Sequence, residues 1–169
     1  MTAPSFDPIL EAARARVGSA ALEARMIEPR SPAELGDTGD DRYLSQLSLR
    51  IFRAGLKHSL VDAKWPAFEE VFFGFEPRRV RAMSDEALEA LLADRRLIRH
   101  WGKLKSVRDN AAAMIAIGEE FGSFGSWVGT WPGANIVGLW EALAERFSQL
   151  GGVSGPTFLR MVGKDTFIL

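Results

Sequence analysis

The 169-residue chain contains no cysteine and only two histidines. The lack of cysteine excludes disulfide bonds and thiolate metal sites, and it makes a cytoplasmic location the default. Metal-dependent hydrolysis and a serine or cysteine nucleophile find no support, because histidine is scarce and no nucleophile-elbow motif is present. We therefore expect neither a bound metal nor any other cofactor.

Uncharged stretches of membrane-spanning length are also scarce. Residues 121–140 carry no charge over twenty positions, but they include five glycines, one proline and several hydroxyl groups. Such a composition is not typical of a membrane-spanning helix. We predict an aromatic-rich loop that runs into a helix, and no contact with a membrane.

Charges of the two signs nearly balance, with a formal net charge of −1, but they are unevenly distributed. Residues 84–94 carry four acids and no base, whereas residues 95–108 carry six bases, one histidine and no acid. The basic segment indicates either a patch that faces an anion or a solvated helix face. Charge alone favours neither interpretation.

The composition favours helix, because alanine, leucine, glutamate and arginine are plentiful while β-branched residues are sparse. No strand-like alternation of any length is visible. The strongest helical stripe consists of Tyr43, Leu44, Leu47, Ile51 and Phe52. We predict an all-α fold, with one long helix at residues 99–121.

The first forty residues differ from the rest, since Pro29, Pro32 and Gly36 interrupt them. We predict that residues 1–40 form a loosely packed helical extension at the N-terminal end. Residues 41–169 are predicted to form a single globular unit, which suits the length of the chain.

The last twenty residues read LGGVSGPTFLRMVGKDTFIL. They follow an amphipathic helix capped by Asn135, and their glycines predict a tight turn before a short helix that starts at Pro156 and stops at Gly163. Glycines let a backbone approach a ligand closely, and free N–H groups at a helix start suit an anion. The alternative is an ordinary connection between two helices.

This segment resembles the helix-hairpin-helix DNA glycosylase superfamily, in which a hairpin of the L-P-G-V-G type precedes a catalytic Asp-Thr pair. Asp165 and Thr166 correspond to that pair, at a shorter separation than is common in the superfamily. Ser154 is an extra or displaced residue in the hairpin. The residues that fit the hairpin are Leu150, Gly152, Val153, Gly155 and Thr157.

A longer run, residues 53–111, resembles the DNA-3-methyladenine glycosylase I family without a gap. The segment FGSFGSWVGTWP resembles the aromatic stretch of that family, and about two-thirds of the chain is covered in all. The recognisable parts of the long run are Ala54-Gly55-Leu56, Phe75-Glu76-Pro77, Ile98-Arg99-His100, Gly102-Lys103 and Asn110-Ala111.

The chain departs from the family in its base pocket, where the family has a glutamate at the position of Arg50 and a tryptophan at that of His58. The N-terminal signature of the family is not visible, and its zinc site of two cysteines and two histidines cannot form. Since the family's carboxylate faces a cationic methylated purine, Arg50 would repel a cation and favour a neutral or acceptor-rich base, or a phosphate. Alternatively, Arg50 is a plain surface residue, and His58 is a helix cap or a half-buried histidine.

The resemblance implies a base-excision repair enzyme that binds duplex DNA, flips a damaged, for example alkylated, base and hydrolyses its N-glycosidic bond. Arg50, His58, Phe52 and Trp65 would form the base pocket. Asp165 would stabilise the positive charge that develops on the sugar, or position water. No lysine stands at the hairpin position of a Schiff-base nucleophile, so a monofunctional glycosylase is implied.

The implied DNA contacts are the hairpin amides of residues 152–157, with Arg99, Lys103 and Lys105 adding attraction that is independent of sequence. The expected partner is double-stranded DNA with a damaged base, bound by a monomer in the bacterial cytoplasm at the nucleoid. Two alternatives are a catalytically silent DNA-binding or damage-sensing module, and a helical protein-interaction domain that keeps only the scaffold.

Overall fold

A computed structural model describes residues 7–23 and 28–165. Within these residues all regular elements are helical, which confirms the all-α prediction, and none is both long and apolar enough to cross a membrane. The α-helices are α1 (Asp7–Val17), α2 (Ser19–Glu23), α3 (Pro32–Gly36), α4 (Asp40–Arg53), α5 (His58–Val71), α6 (Pro77–Arg81), α7 (Asp85–Ala90), α8 (Trp101–Phe121), α9 (Phe124–Thr130), α10 (Ile136–Arg146) and α11 (Ser154–Met161).

The chain divides into two compact units, and the boundary falls after Pro29. The smaller unit contains α1 and α2, which are separated by Gly18 at φ +83°. The larger unit begins at Arg30 and contains the remaining helices. The boundary predicted at residue 40 lies inside the larger unit, because α3 packs against α9 there.

Helix α4 is central to the larger unit, where it contacts α5, α6, α8, α9 and α11. It ends at Arg53, and Gly55 then turns the chain with φ +76°. Burial of each large apolar side chain contributes roughly 1.5–3 kcal/mol, so the buried stripe explains why this segment is helical and where it packs. The buried stripe is the predicted one, with each member at most 2% exposed: Tyr43, Leu44, Leu47, Ile51 and Phe52.

Helix α8, of 21 residues, contacts α4, α6, α7 and α9. It begins at Trp101 because His100 has an extended backbone and caps the helix, its Nδ1 accepting the backbone N–H of Lys103 at 3.2 Å. It ends at Phe121, before Gly122 at φ +88°. The long helix predicted at residues 99–121 is therefore confirmed, apart from its first two residues.

The loop predicted within residues 121–140 is partly wrong, because α9 forms there. Gly125 and Gly129 face α3, and a Cβ atom on Gly129 would lie 2.7 Å from the carbonyl oxygen of Pro32. A Cβ atom on Gly125 would overlap the carbonyl oxygen of Leu35. The glycines that lower the helix propensity of α9 are thus the residues that let it lie against α3.

The closing hairpin joins α10 to α11. Asn135 caps α10 as predicted, since its Oδ1 accepts a first-turn backbone N–H at 3.2 Å. Between the two helices the chain turns through Gln149 at φ +62° and Gly152 at φ +58°. Helix α11 begins at Ser154, two residues before the predicted start at Pro156, so the turn is tighter than expected.

Hydrogen bonds fasten this hairpin to α8. The side chain of the fully buried Asn110 exchanges two bonds with the backbone of Ser148, at 2.7 and 3.1 Å. Nearby, Gln149 Nε2 donates to the carbonyl of Gly102 at 2.7 Å. A buried amide that loses such partners costs about 1–3 kcal/mol, so these bonds hold the hairpin in a fixed position against α8.

Candidate functional site

Lys103 lies inside the larger unit, only 9% exposed, and not on the surface where a DNA backbone would meet it. Its Nζ donates to the carbonyl of Ala54 at 2.7 Å and to that of Phe52 at 3.3 Å. These carbonyls lie at the C-terminal end of α4, where a positive charge suits the helix dipole. The prediction that Lys103 attracts DNA phosphates is corrected, because its ammonium group bonds the protein backbone.

Arg50 lies in the last turn of α4 and is half-buried. Its Nε atom is enclosed by the protein and has no hydrogen-bond partner among the described residues. Burial lowers the pKa of Arg50, and the neighbouring charge of Arg53 lowers it further. Burial also lowers the pKa of Lys103, with a further contribution from the charge of Arg50. We call Arg50 and Lys103 the cationic pair.

The charges next to the cationic pair are already balanced. Arg53 Nε donates to Oδ1 of Asp62 at 2.8 Å, and a terminal nitrogen of Arg53 lies at the same distance from that oxygen. This salt bridge joins α4 to α5. Within the described part of the chain, no carboxylate forms an ion pair with either member of the cationic pair. His58 is exposed at the first position of α5.

The two aromatic residues predicted for the base pocket belong to the core. Phe52 has no exposed surface, and its ring meets those of Trp65 and Phe68 edge-on at 6.1 and 4.6 Å. The half-buried Trp65 stacks on Phe68 at 4.9 Å and on Phe75 at 5.4 Å. Phe52 is therefore corrected from a base contact to a support beneath the site, because a ligand cannot reach a fully buried ring.

A polar network that the sequence did not reveal holds Trp65 in place. Its Nε1 donates to Ser45 Oγ at 3.1 Å, and this hydroxyl donates to Glu69 at 2.6 Å. Glu69 in turn accepts two bonds from Arg42, at 3.0 and 3.2 Å. The network links α4 to α5 and satisfies the indole nitrogen inside the protein. No spacing pattern identifies it, since it joins residues on separate helices.

The open part of the hairpin is smaller than predicted. Gly151 and Gly152 have open space where a Cβ atom would stand, and Val153 is 71% exposed. Gly155 is buried, with the position of a Cβ atom 3.1 Å from a carbonyl oxygen of the preceding turn. The Thr157 hydroxyl donates to a backbone carbonyl at 2.6 Å. Gly155 was predicted to contact DNA, and this is corrected to a packing role. Gly151, which was not among the predicted residues, is accessible to solvent.

The basic segment at residues 95–108 is mostly compensated within the protein. Arg99 is exposed, and it lies just before α8 without an ion pair to any described residue. The exposed charge of Lys105 is shared with Asp109, 2.7 Å away. Arg99 is therefore the better candidate for attraction to phosphates. The bases of this segment that have partners in the protein are Arg96, Lys103, Lys105 and Arg108.

Asp165 is exposed at the end of the described chain, and the predicted partner Thr166 lies outside the described residues. The preceding Lys164 donates to the carbonyls of Trp131 at 3.2 Å and Gly129 at 3.5 Å. Burial lowers the pKa of Lys164, and the charge of Asp165 acts in the opposite direction. The lysine anchors this segment to the end of α9, while the carboxylate of Asp165 faces solvent.

These groups differ in the chemistry that they can offer. The cationic pair carries N–H donors, the glycines of the hairpin expose backbone, and Asp165 carries one exposed carboxylate. Among residues 7–23 and 28–165, no three histidine, aspartate or glutamate side chains lie together in a way that would hold a metal ion.

The fold is that of the helical 3-methyladenine DNA glycosylases. One crystal structure of 3-methyladenine DNA glycosylase I matches with a TM-score of 0.66 and 27% identity, over 75% of this chain and 80% of that chain. The enzyme of Staphylococcus aureus, solved to explain its recognition of 3-methyladenine, matches with a TM-score of 0.67 and 23% identity, over 81% and 80% of the two chains. At that lower identity the likeness concerns the fold alone.

The sequence comparison defines the family. The profile described as methyladenine glycosylase matches residues 35–148, and the chain belongs to this family. The matched range contains Arg50, His58 and Lys103, and it ends before the hairpin glycines and Asp165.

Two curated relatives match shorter segments. DNA-3-methyladenine glycosylase 1 of Escherichia coli (strain K12) is 32% identical over 91 residues, which are 52% of this chain and 49% of that protein. DNA-3-methyladenine glycosylase of Haemophilus influenzae is 33% identical over 86 residues, which are 49% and 46%. The aligned part of the chain thus spans about half the length of these relatives.

Proposed function

We propose that the protein binds duplex DNA and hydrolyses the N-glycosidic bond of a damaged base, as a monofunctional DNA glycosylase. The observation that carries this proposal is the cationic pair, which lies within the segment that matches the family. Arg50 is half-buried there, and its enclosed Nε atom has no hydrogen-bond partner in the part of the chain that the structure describes. An arrangement that is unfavourable for the folded protein alone is typical of a binding site.

The proposed DNA contacts are the exposed backbone of Gly151 and Gly152 with the charge of Arg99. Backbone amides and unpaired cations bind phosphates irrespective of sequence, and such binding weakens as salt rises. The exposed Val153 lies beside these amides and would meet the duplex with them. Lys105 adds less, because Asp109 shares its charge.

The proposed chemistry requires one carboxylate and one water molecule. As the bond from C1′ to the base breaks, positive charge grows on the sugar and Asp165 stabilises it. Water then adds its oxygen to C1′. One proton of that water passes to the departing base, the other stays on the new hydroxyl group, and an abasic sugar remains. Asp165→Asn is expected to leave DNA affinity nearly unchanged and to slow base release by roughly a hundredfold or more, since a preorganised electrostatic partner is removed. A folded and fully active Asp165→Asn protein would remove Asp165 from the mechanism.

Arg50 and Asp165 also fit a second function, that of a catalytically silent module. A catalytically silent damage-sensing module would also bind DNA through the hairpin, and it would need neither a family glutamate at position 50 nor an enclosed carboxylate. Arg50 and the exposed Asp165 agree with that alternative.

A panel of duplexes, each with one damaged base, separates these functions. We expect salt-dependent binding to abasic-site DNA together with release of at least one base. Binding without any base release would favour the silent module. Absence of both would leave a protein-interaction scaffold and refute the DNA proposals.

We further propose that the protein acts as a monomer without zinc, in the bacterial cytoplasm at the nucleoid. The lack of cysteine supports a fold that needs no zinc. Elemental analysis that found about one zinc per chain, lost on chelation together with thermal stability, would contradict this.

A further inference from the structure

Several N–H donors of the cationic pair have no acceptor among the described residues. An ammonium group carries three N–H donors, and the two carbonyls that Lys103 reaches account for two of them. A guanidinium carries five N–H donors in a planar fork, and within the described chain none of those of Arg50 is bonded to the protein. Only Nε of that group is both enclosed and unsatisfied, so its terminal nitrogens remain open to a ligand.

The surroundings of the cationic pair select against a positively charged ligand. The acid that α5 places against this end of α4 is Asp62, which already forms a salt bridge with Arg53. The other groups known to contact Lys103 are carbonyl oxygens and the ring of Phe52, whose centroid lies 6.0 Å from Nζ. A cation placed here would meet two positive charges without an opposing carboxylate, which is strongly unfavourable where water is partly excluded.

A ligand that presents two acceptors side by side fits these donors. The O6 and N7 atoms of a 6-oxopurine form such an edge, and an arginine fork binds it with two hydrogen bonds. A backbone phosphate also carries only acceptors, but it runs along the outside of a duplex. The 9% exposure of Lys103 and the enclosed Nε of Arg50 suit a base that has left the stack and entered the protein.

We propose that Arg50 and Lys103 form a recognition site for the acceptor edge of a neutral 6-oxopurine, such as hypoxanthine, and that this site rejects cationic methylated purines. The proposal rests on the proposed function in one respect, namely that DNA delivers the base by flipping it out. Arg50 contacts the base edge, whereas Lys103 contributes its remaining N–H and positive charge.

The test uses the full chain without DNA and three free probes in mildly acidic buffer, which protonates 3-methyladenine: hypoxanthine, 3-methyladenine and inorganic phosphate. Binding is followed by chemical-shift changes and by calorimetry in the unaltered protein, Arg50→Met and Arg50→Glu. Arg53→Met is the matched control, because it removes the same charge one turn further along α4 from a side chain that is already paired. A melting curve for each variant identifies any that fail to fold.

Hypoxanthine is expected to bind the unaltered protein and Arg53→Met with similar affinity. Arg50→Met should weaken that binding by between about fivefold and a hundredfold, the range expected for loss of one bidentate base contact. Arg50→Glu should abolish it and improve the binding of 3-methyladenine. This exchange of preference is an effect that a purely structural role of Arg50 would not produce.

Three results would overturn the inference. One is tighter binding of 3-methyladenine than of hypoxanthine to the unaltered protein. Another is hypoxanthine binding that does not change in Arg50→Met. The third is binding of inorganic phosphate without any binding of hypoxanthine, which would assign the cationic pair to the DNA backbone. If the unaltered protein binds hypoxanthine here but binds none of the duplexes in the panel with damaged bases, the proposed function is refuted and the recognition site is not, so the two failures are distinguishable.

Discussion

Replacement of Arg50 by methionine is expected to stabilise the folded protein. Methionine follows the path of the arginine stem and places its terminal methyl group where the enclosed Nε atom now lies. The substitution removes a buried donor without a partner and relieves the repulsion from Lys103 and Arg53. Leaving such a donor unsatisfied costs about 1–3 kcal/mol, and the lower end applies because the terminal nitrogens of Arg50 are not enclosed.

A gain of about 1 kcal/mol raises the melting temperature of a chain of this length by roughly 2–4 °C. Calorimetric melting at neutral pH measures this shift. Arg50→Lys is the first control, because it keeps the charge but puts a methylene group at the position of Nε, and it should give only part of the gain. Arg53→Met is the second control and should give no gain, since it breaks the salt bridge to Asp62.

The pH dependence of stability provides a second readout of the same repulsion. The pKa of Lys103 is lower in the folded protein than in the unfolded chain, so the protonated lysine opposes folding. This cost is present at neutral pH and is relieved as the pH rises through the lowered pKa. Arg50→Met removes one cause of the lowered pKa, so its stability should rise less with alkaline pH than that of the unaltered protein. A lower melting temperature for Arg50→Met, with an unchanged pH profile, would show that the guanidinium of Arg50 has a partner and does not destabilise the fold.

Three further predictions concern the scaffold and the hairpin. Asp40 accepts the Phe124 N–H at 3.0 Å, but burial raises the pKa of Asp40, so the folded protein loses stability as the pH rises through that pKa. Asp40→Asn should flatten this pH profile of stability in denaturant titrations, and an unchanged profile would contradict the prediction. Gly129→Ala should lower the free energy of unfolding in urea by about 1–3 kcal/mol, because the added methyl group would press on the backbone of α3. An unchanged urea midpoint would refute that contact. Gly151→Ala should keep the melting temperature but weaken binding to all duplexes alike, whereas Gly155→Ala should lower the melting temperature. The reverse outcome would assign packing to Gly151 and DNA contact to Gly155.

The helices could be predicted from the sequence where apolar periodicity was strong. The stripe of α4 and the cap of α10 are of this kind, because burial and capping act within a few neighbouring residues. Helix α9 was missed, since its glycines favour a loop when only local propensity is considered. They are explained by the close approach of α3, which is distant in the chain.

The candidate site was predictable only in part. Arg50 stands out because the family resemblance sets it where the family has a glutamate, which predicts a place in the base pocket. Charge counting identified Lys103 but put it on the surface, because the carbonyls that bind it belong to another helix. The packing role of Gly155 and the network around Trp65 likewise depend on contacts between helices, which spacing along one segment does not encode.

The most direct test of the proposed recognition site is single-turnover base release from two duplexes that differ only in one base, hypoxanthine in the first and 3-methyladenine in the second. The unaltered protein is expected to release hypoxanthine, and to release it faster than 3-methyladenine, because the cationic pair binds acceptors and repels a cationic purine. Faster release of 3-methyladenine, or release of neither base from bound DNA, would show that the cationic pair does not select the base.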